Sequence, residues 1–156
     1  MLELQIRSDQ AMMELGKFLG ERVKPGDLLF LSGELGAGKT TLVKGIAEGM
    51  GVRSDITSPT FQLLKTYHGK FILNHLDLYR LGPEPDVEIL ELEDMGTEGV
   101  VVIEWGDYVK DQLFVEYLEI VIGFGEAVDS RRVSFVPSGA RYEHLIKELQ
   151  NVDFRF

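Results

Sequence analysis

The segment Gly33-Glu34-Leu35-Gly36-Ala37-Gly38-Lys39-Thr40 restricts the fold of this chain more than any other, because it matches G-x-x-x-x-G-K-[ST] in full. The apolar run at 28–31 precedes it and is typical of a buried strand. Apolar residues recur at helical spacing after it, at Leu42, Val43, Ile46, Ala47 and Met50. A strand, a glycine-rich turn and a helix in this order indicate a phosphate-binding loop.

The residue types of this segment suit a polyphosphate. Glycines allow unusual backbone angles and leave no Cβ between the backbone N–H groups and the phosphates. The positive end of the following helix adds attraction, Lys39 is expected to reach the β- and γ-phosphates, and the Thr40 hydroxyl is expected to bind Mg²⁺. The alternative is a glycine-rich turn with an accidental lysine. We predict a nucleotide site formed by Glu34, Leu35, Gly36, Ala37, Gly38, Lys39, Thr40 and Thr41.

Composition narrows the class of protein. A length of 156 residues predicts a single domain, 1–156. The net charge of −10 argues against tight direct binding of tRNA or DNA, since such binding depends on neutralising phosphates. The chain has no cysteine, its N-terminus lacks the pattern of a signal peptide, and no apolar run approaches the ~20 residues that span a bilayer. We therefore expect a cytoplasmic protein that does not contact a membrane.

A second informative stretch is Gly99-Val100-Val101-Val102-Ile103-Glu104-Trp105. Its consecutive β-branched residues predict a strand buried on both faces, as in a parallel sheet. Ligands of such sheets bind at the carboxyl ends of the strands, so Glu104 is expected to hold Mg²⁺ directly or through water. The alternative is an exposed carboxylate at a strand end. Trp105 either covers the site or packs in the core.

The remaining patterns complete an α/β prediction. They indicate a helix beginning near Ser8 or Asp9, a hairpin around His68-Gly69, short helices after residue 85 and over 107–113, two antiparallel strands at 117–122 and 132–136, and a helix over 141–150. The predicted fold is a P-loop NTPase-like, mostly parallel sheet with flanking helices and added antiparallel strands.

Three positions stay open on the residues alone. In the turn around Ser58-Pro59, Thr57 or Thr60 either contributes a hydroxyl to the metal or γ-phosphate or belongs to an ordinary turn. Asp77 lies between apolar neighbours and either orients a water molecule or pairs with Arg80 or the backbone. His75 shares a strand face with Asp77, but a metal pair of these two is the weaker interpretation.

Four segments together resemble the TsaE (YjeE) family, the P-loop ATPase of bacterial tRNA threonylcarbamoyladenosine (t6A) biosynthesis. These segments are Gly-Glu-Leu-Gly-Ala-Gly-Lys-Thr-Thr-Leu at 33–42, Ser-Pro-Thr-Phe at 58–61, His-Leu-Asp-Leu-Tyr-Arg-Leu at 75–81 and Val-Ile-Glu-Trp at 102–105. Their order and spacing extend the resemblance over about residues 28–115.

The resemblance implies ATP and Mg²⁺ as cofactors and a role for each matching residue. Thr40 and Glu104 would ligate Mg²⁺, Lys39 would bind phosphates, and Asp77 would be needed for hydrolysis. The segment 58–61, which includes Thr60, would act as a switch-like loop, and Trp105 would lie near the nucleotide. The family acts with the TsaB and TsaD proteins on adenosine 37 of tRNAs that read ANN codons, so tRNA would be contacted indirectly.

Two other functions compete with an ATPase that is weak alone and dependent on partners. A small-molecule kinase would use a similar loop, but no arginine-rich lid is evident in the sequence. A nucleotide-dependent binding switch of the GTP type would need a guanine-recognition motif, and the sequence contains no Asn/Thr-Lys-x-Asp.

Overall fold

The computed structural model describes residues 1–34, 36–54, 56, 64–78, 99–104 and 116–152. The strands in these ranges are β1 (Leu2–Ile6), β2 (Leu28–Gly33), β3 (Leu64–His68), β4 (Ile72–Asp77), β5 (Gly99–Glu104), β6 (Tyr117–Phe124) and β7 (Arg131–Ser138). The helices are α1 (Asp9–Arg22), α2 (Lys39–Gly49) and α3 (Ala140–Gln150). The helices predicted after residue 85 and over 107–113, and the turn at 57–61, lie outside the described residues.

The strands form one sheet in the order β1-β7-β6-β2-β5-β4-β3. Its centre is parallel, because β2 pairs in parallel with β5 and β6, and β4 pairs in parallel with β5. The hairpin β3–β4 and the strands β6, β7 and β1 add antiparallel pairs on either side. This arrangement confirms the predicted α/β fold, and the hairpin and the β6–β7 pair were both predicted.

The two faces of the sheet carry separate apolar clusters. Side chains alternate between the two faces along β2 and β5. On one face they join the cluster that contains the buried residues of α1 and α2, and these are Leu29, Leu31, Val100 and Val102. Their neighbours Leu28, Phe30, Val101 and Ile103 belong to a second cluster on the opposite face. Strand β5 is buried throughout, as its run of β-branched residues predicts.

Helices α1 and α2 approach each other closely through glycines. A Cβ on Gly16 would lie 2.5 Å from the carbonyl oxygen of Leu42 and 2.7 Å from the Cα of Gly45. A Cβ on Gly45 would overlap the carbonyl oxygen of Met13, and Gly20 and Gly49 make equivalent contacts with the opposite helix. Only glycine permits this separation, so the backbone of α2 rests directly on that of α1.

Strand β1 was not predicted. It pairs antiparallel with β7, and it places Leu2 and Leu4 partly inside and Ile6 fully inside the core. The alternation of these residues with Glu3 and Gln5 was the available signal. Ser8 then ends the strand segment and caps α1, since its Oγ accepts a hydrogen bond of 3.0 Å from the Ala11 N–H.

A buried polar network joins α3 to the turn before β2. The Asp27 carboxylate accepts hydrogen bonds from the Lys24 N–H at 2.8 Å and from Arg141 Nη2 at 2.9 Å. The Leu28 N–H donates to the Tyr142 hydroxyl at 2.9 Å. This network fixes the start of the strand that leads into the glycine-rich loop. None of the helices in the described ranges has the length and apolar character needed to cross a membrane.

Candidate nucleotide-binding site

The glycine-rich loop joins β2 to α2 in a conformation that requires glycine. Gly36 and Gly38 have φ values of 82° and 113°, in the left-handed region that favours glycine. At Gly33, a Cβ would lie 2.6 Å from the carbonyl oxygen of Ile122 on the adjacent strand β6. The predicted strand, turn and helix are thus all present.

Helix α2 begins at this loop. Its N-cap is Gly38, which has no side chain to satisfy the first N–H groups, and its first turn contains no acidic residue. The N-terminus of a helix with unsatisfied N–H groups attracts anions through those groups and through the helix dipole. The loop and helix therefore form a site with the electrostatic character that phosphates need.

Lys39 is buried although it carries an ammonium group, with only 6% of its surface exposed. Its Nζ donates a hydrogen bond of 2.7 Å to the carbonyl oxygen of Gly33, at the start of the loop. Burial lowers the pKa of Lys39, and the negative charges of Glu104 and Asp77 oppose that shift. The lysine therefore lies within electrostatic reach of both carboxylates.

Asp77 and Glu104 are register partners at the carboxyl ends of β4 and β5. Glu104 is also the partner of Leu31 on β2, the strand that enters the loop. Asp77 follows Leu73 by an even number of residues, as Glu104 follows Val102, so both carboxylates lie on the face of the sheet that α2 covers. Glu104 is 5% exposed, which excludes the alternative of a merely exposed strand end.

His75 makes a contact that the sequence did not predict. Its Nε2 lies 2.7 Å from Oε2 of Glu104, and the two side chains are almost fully buried. His75 faces Val102 in the strand register, so Glu104 is its diagonal neighbour on the same face. The even spacing from Asp77 was readable in the sequence, but the register against β5 was not.

Arg131 is a second residue that was missed. From the first position of β7, its Nε donates a hydrogen bond of 3.0 Å to the carbonyl oxygen of Ala37 in the glycine-rich loop. Its Nη1 donates to the carbonyl oxygens of Val128 and Ser130, and its guanidinium lies 4.9 Å from the centre of the Phe124 ring. The loop is thus held from the β6–β7 connection.

Only some of the other predicted ligand residues are among those that the structure describes. Glu34 and Thr40 are exposed and Thr41 is half-buried, all three at the loop or in the first turn of α2. Leu35, Thr57, Thr60 and Trp105 lie outside the described residues, so their predicted roles stay predictions.

Across the described part of the chain, no group of three or more His, Cys, Asp and Glu side chains is placed to hold a metal ion. Mg²⁺ at phosphate sites instead uses one or two protein oxygens together with the phosphates and water, and the Thr40 hydroxyl and the Glu104 carboxylate are of that type.

Comparison with known proteins identifies the family of this chain. The family model described as threonylcarbamoyl adenosine biosynthesis protein TsaE matches residues 6–133. The chain belongs to the TsaE family. The resemblance seen in the sequence is therefore confirmed, and it extends well beyond the four segments that suggested it.

Individual relatives cover most of this TsaE family member. A tRNA threonylcarbamoyladenosine biosynthesis protein TsaE from Bacillus subtilis is 42% identical over 141 residues, which make up 89% of this chain and 87% of the relative. The protein of the same name from Streptomyces coelicolor is 40% identical over 138 residues, 84% of this chain and 93% of the relative. The crystal structure of YdiB from Bacillus subtilis superimposes with a TM-score of 0.78 at 37% identity, covering 96% of this chain and 93% of YdiB.

Proposed function

We propose that this chain is a Mg²⁺-dependent ATPase that acts in the cytoplasm with TsaB and TsaD proteins. The work of the complex would be the threonylcarbamoylation of adenosine 37 in tRNAs that read ANN codons. The observation that carries the ATPase proposal is the convergence of Lys39, Asp77 and Glu104 at the carboxyl ends of parallel strands, beside a glycine-rich loop that opens a helix.

The phosphates would lie against the loop and the first turn of α2. Backbone N–H groups there would donate hydrogen bonds to the phosphate oxygens, and the Lys39 ammonium would move from the Gly33 carbonyl oxygen to the β- and γ-phosphate oxygens. A buried ammonium that is poorly hydrated gains more from an incoming anion than an exposed one, because less water competes with the phosphate.

Thr40 and Glu104 would hold Mg²⁺. A hydroxyl and a carboxylate are hard oxygen ligands of the kind that this ion prefers. When bound, Mg²⁺ neutralises charge on the β- and γ-phosphate oxygens. The cluster formed by Lys39 and the two carboxylates already combines both signs of charge, so the site accommodates a cation and a polyanion together.

Asp77 is proposed to act on the attacking water. Its carboxylate is half-buried beside Glu104, and an ionised carboxylate only accepts hydrogen bonds. It would orient the water by accepting one of its protons in a hydrogen bond, while Glu104 serves the metal. The structural alternative of a pair with Arg80 lies outside the described residues, so this assignment rests on the position of Asp77.

The link to tRNA comes from the family. The relatives are named for tRNA threonylcarbamoyladenosine biosynthesis, and the net charge of −10 disfavours direct, tight binding of tRNA. Both observations fit a subunit that supplies nucleotide-driven work while partner proteins hold the tRNA. Hydrolysis by the isolated chain is expected to be weak.

The proposal is tested by reconstitution with TsaB and TsaD, measuring phosphate release and t6A formation in the same samples. Lys39→Ala should lose nucleotide binding and t6A formation, whereas Asp77→Asn should bind ATP and fail to hydrolyse it. Glu143→Gln, on the exposed face of α3, is the matched charge control. Unchanged t6A formation by Lys39→Ala would contradict the proposal, and transfer of labelled phosphate to an acceptor other than water would favour a kinase.

A further inference from the structure

We infer that His75 is a positioning residue for the Mg²⁺ site, which it serves by fixing the Glu104 carboxylate in one orientation. The inference rests on the proposed function, because it concerns the metal that Glu104 is proposed to hold. It assigns a role to a buried histidine that neither the phosphate-binding loop nor the hydrolysis step uses.

The geometry of the pair leaves little freedom to either side chain. His75 is 1% exposed and Glu104 is 5% exposed, on adjacent parallel strands of the sheet. The distance of 2.7 Å between His75 Nε2 and Glu104 Oε2 is that of a strong hydrogen bond to a charged acceptor. Because both side chains are buried, a carboxylate turned away from His75 would lose this bond with little water nearby to replace it.

Elementary chemistry identifies the donor of this hydrogen bond. An ionised carboxylate has no hydrogen to give, so Nε2 of His75 carries the hydrogen and donates it. Within the residues that the structure describes, Nδ1 of His75 has no hydrogen-bond partner. His75 thus directs one N–H at one oxygen of the Glu104 carboxylate.

The contact with His75 engages only one of the two oxygens of the Glu104 carboxylate. Glu104 Oε2 is hydrogen-bonded to the histidine, so Oε1 would be the oxygen that takes the metal ion. Hydrogen-bonded partners that orient metal ligands commonly change metal affinity by about 10–100-fold when they are removed. His75 is placed to do this for a carboxylate ligand.

A packing role alone does not account for this residue. Position 73 on the same strand face is a leucine, fully buried in the helix-side cluster. An apolar side chain at position 75 would continue that cluster without leaving a ring nitrogen unpartnered in the described part of the chain. It would, however, leave the buried Glu104 carboxylate without the donor that now holds it.

Two amide substitutions separate positioning from burial. In His75→Gln the amide nitrogen can reach the place of Nε2 and donate to Glu104, whereas in His75→Asn it ends near the place of Nδ1 and falls short. His75→Leu removes the donor altogether, and His144→Leu is the control at an exposed histidine of α3. Each variant is titrated with ADP by calorimetry, once in EDTA and once across a Mg²⁺ series, and the bound ion is monitored by the electron paramagnetic resonance of Mn²⁺.

We expect ADP affinity in EDTA to be within about threefold of wild type for all variants, because the loop and Lys39 are intact. Mg²⁺ affinity of the ADP complex should fall by about 10–100-fold in His75→Asn and His75→Leu and recover most of this loss in His75→Gln. Wild-type Mg²⁺ affinity in the Asn and Leu variants, or a Gln variant as weak as the Leu variant, would overturn the inference. If the His75→Leu variant fails to fold, the difference in Mg²⁺ affinity between His75→Gln and His75→Asn still tests the inference.

A parallel titration of Glu104→Gln distinguishes the two proposals. If Mg²⁺ affinity depends on Glu104 but not on His75, only the positioning role is overturned. If Mg²⁺ affinity does not depend on Glu104, the proposed metal site is wrong and the role of His75 is overturned with it.

Discussion

Arg131 Nε donates a hydrogen bond of 3.0 Å to the carbonyl oxygen of Ala37, a residue 94 positions earlier in the chain. Strand β7, which begins with Arg131, is not a neighbour of β2, because β6 lies between them in the sheet. The long arginine side chain therefore reaches past β6 to the glycine-rich loop. By binding a carbonyl oxygen of the loop, Arg131 helps to fix the backbone conformation of the loop.

Replacement of Arg131 should weaken nucleotide binding without abolishing it. Arg131→Gln removes a charge-assisted hydrogen bond to the loop, worth about 1.5 kcal/mol, and we expect ADP affinity to fall by about tenfold. Calorimetric titration with ADP measures the affinity of each variant. The adjacent Arg132→Gln is the control, since Arg132 is half-exposed and pairs with Glu3 on the edge strand. Equal effects of the two substitutions would show that only net charge matters.

Gly45→Ala should destabilise the protein although alanine is the better helix former. At an exposed helix position this change gains up to about 1 kcal/mol. Here the new methyl group would overlap the carbonyl oxygen of Met13, so α1 and α2 must separate, at a cost of about 1–3 kcal/mol. Urea denaturation measures the free energy of unfolding.

The control for Gly45→Ala is Gly123→Ala, where the nearest atom to the new methyl group would be 3.9 Å away. That variant should be at least as stable as wild type. A Gly45→Ala protein with wild-type stability and wild-type ADP affinity would contradict the close contact between the two helices.

Asp27→Ala should destabilise the chain strongly. The buried Asp27 carboxylate accepts from Arg141 Nη2 at 2.9 Å and from the Lys24 N–H at 2.8 Å, and the hydrogen bond to Asp27 raises the pKa of Arg141. Breaking a fully buried pair costs about 3–5 kcal/mol. Arg141 keeps 28% of its side chain exposed, so we expect about 2–3 kcal/mol in urea denaturation. The control is Glu3→Gln, which breaks the exposed ion pair between Glu3 and Arg132. It should lower the free energy of unfolding by less than about 1 kcal/mol.

Tyr142→Phe should alter stability at alkaline pH. Burial raises the pKa of Tyr142 above its ordinary value of 10.0. Above pH 10.0 the unfolded chain therefore loses this proton before the folded chain does, and stability decreases as the pH rises towards the folded pKa.

The Tyr142→Phe variant should be about 1 kcal/mol less stable at neutral pH, since the Leu28 N–H loses its acceptor. It should then lose less stability than wild type between about pH 10 and 11. Identical pH slopes in urea denaturation would contradict this.

The parts of the site that could be predicted are those encoded in consecutive residues. The glycine-rich loop and α2 lie in one segment, and Glu104 follows the β-branched run that makes β5 recognisable. The contacts of His75 with Glu104 and of Arg131 with Ala37 depend on strand register and on the order of strands in the sheet, which local periodicity does not encode. Strand β1 was missed although Leu2, Leu4 and Ile6 alternate with polar residues, because five residues give a weak signal.

The glycine spacing was a further signal that was present and unused. Gly16 and Gly20 on α1, and Gly45 and Gly49 on α2, are each four residues apart, the pattern by which small residues let two helices come close. It was readable in the sequence without any knowledge of the sheet.

This backbone-to-backbone contact has a mechanical consequence. Side chains between two helices can change rotamer and absorb a displacement, but the carbonyl of Leu42 rests against the glycine surface of α1 with nothing between them that can flex. A displacement of α1 is therefore expected to move α2 with it, including the end of α2 that begins at Lys39. The position of the glycine-rich loop is therefore coupled to the position of α1 through backbone contact.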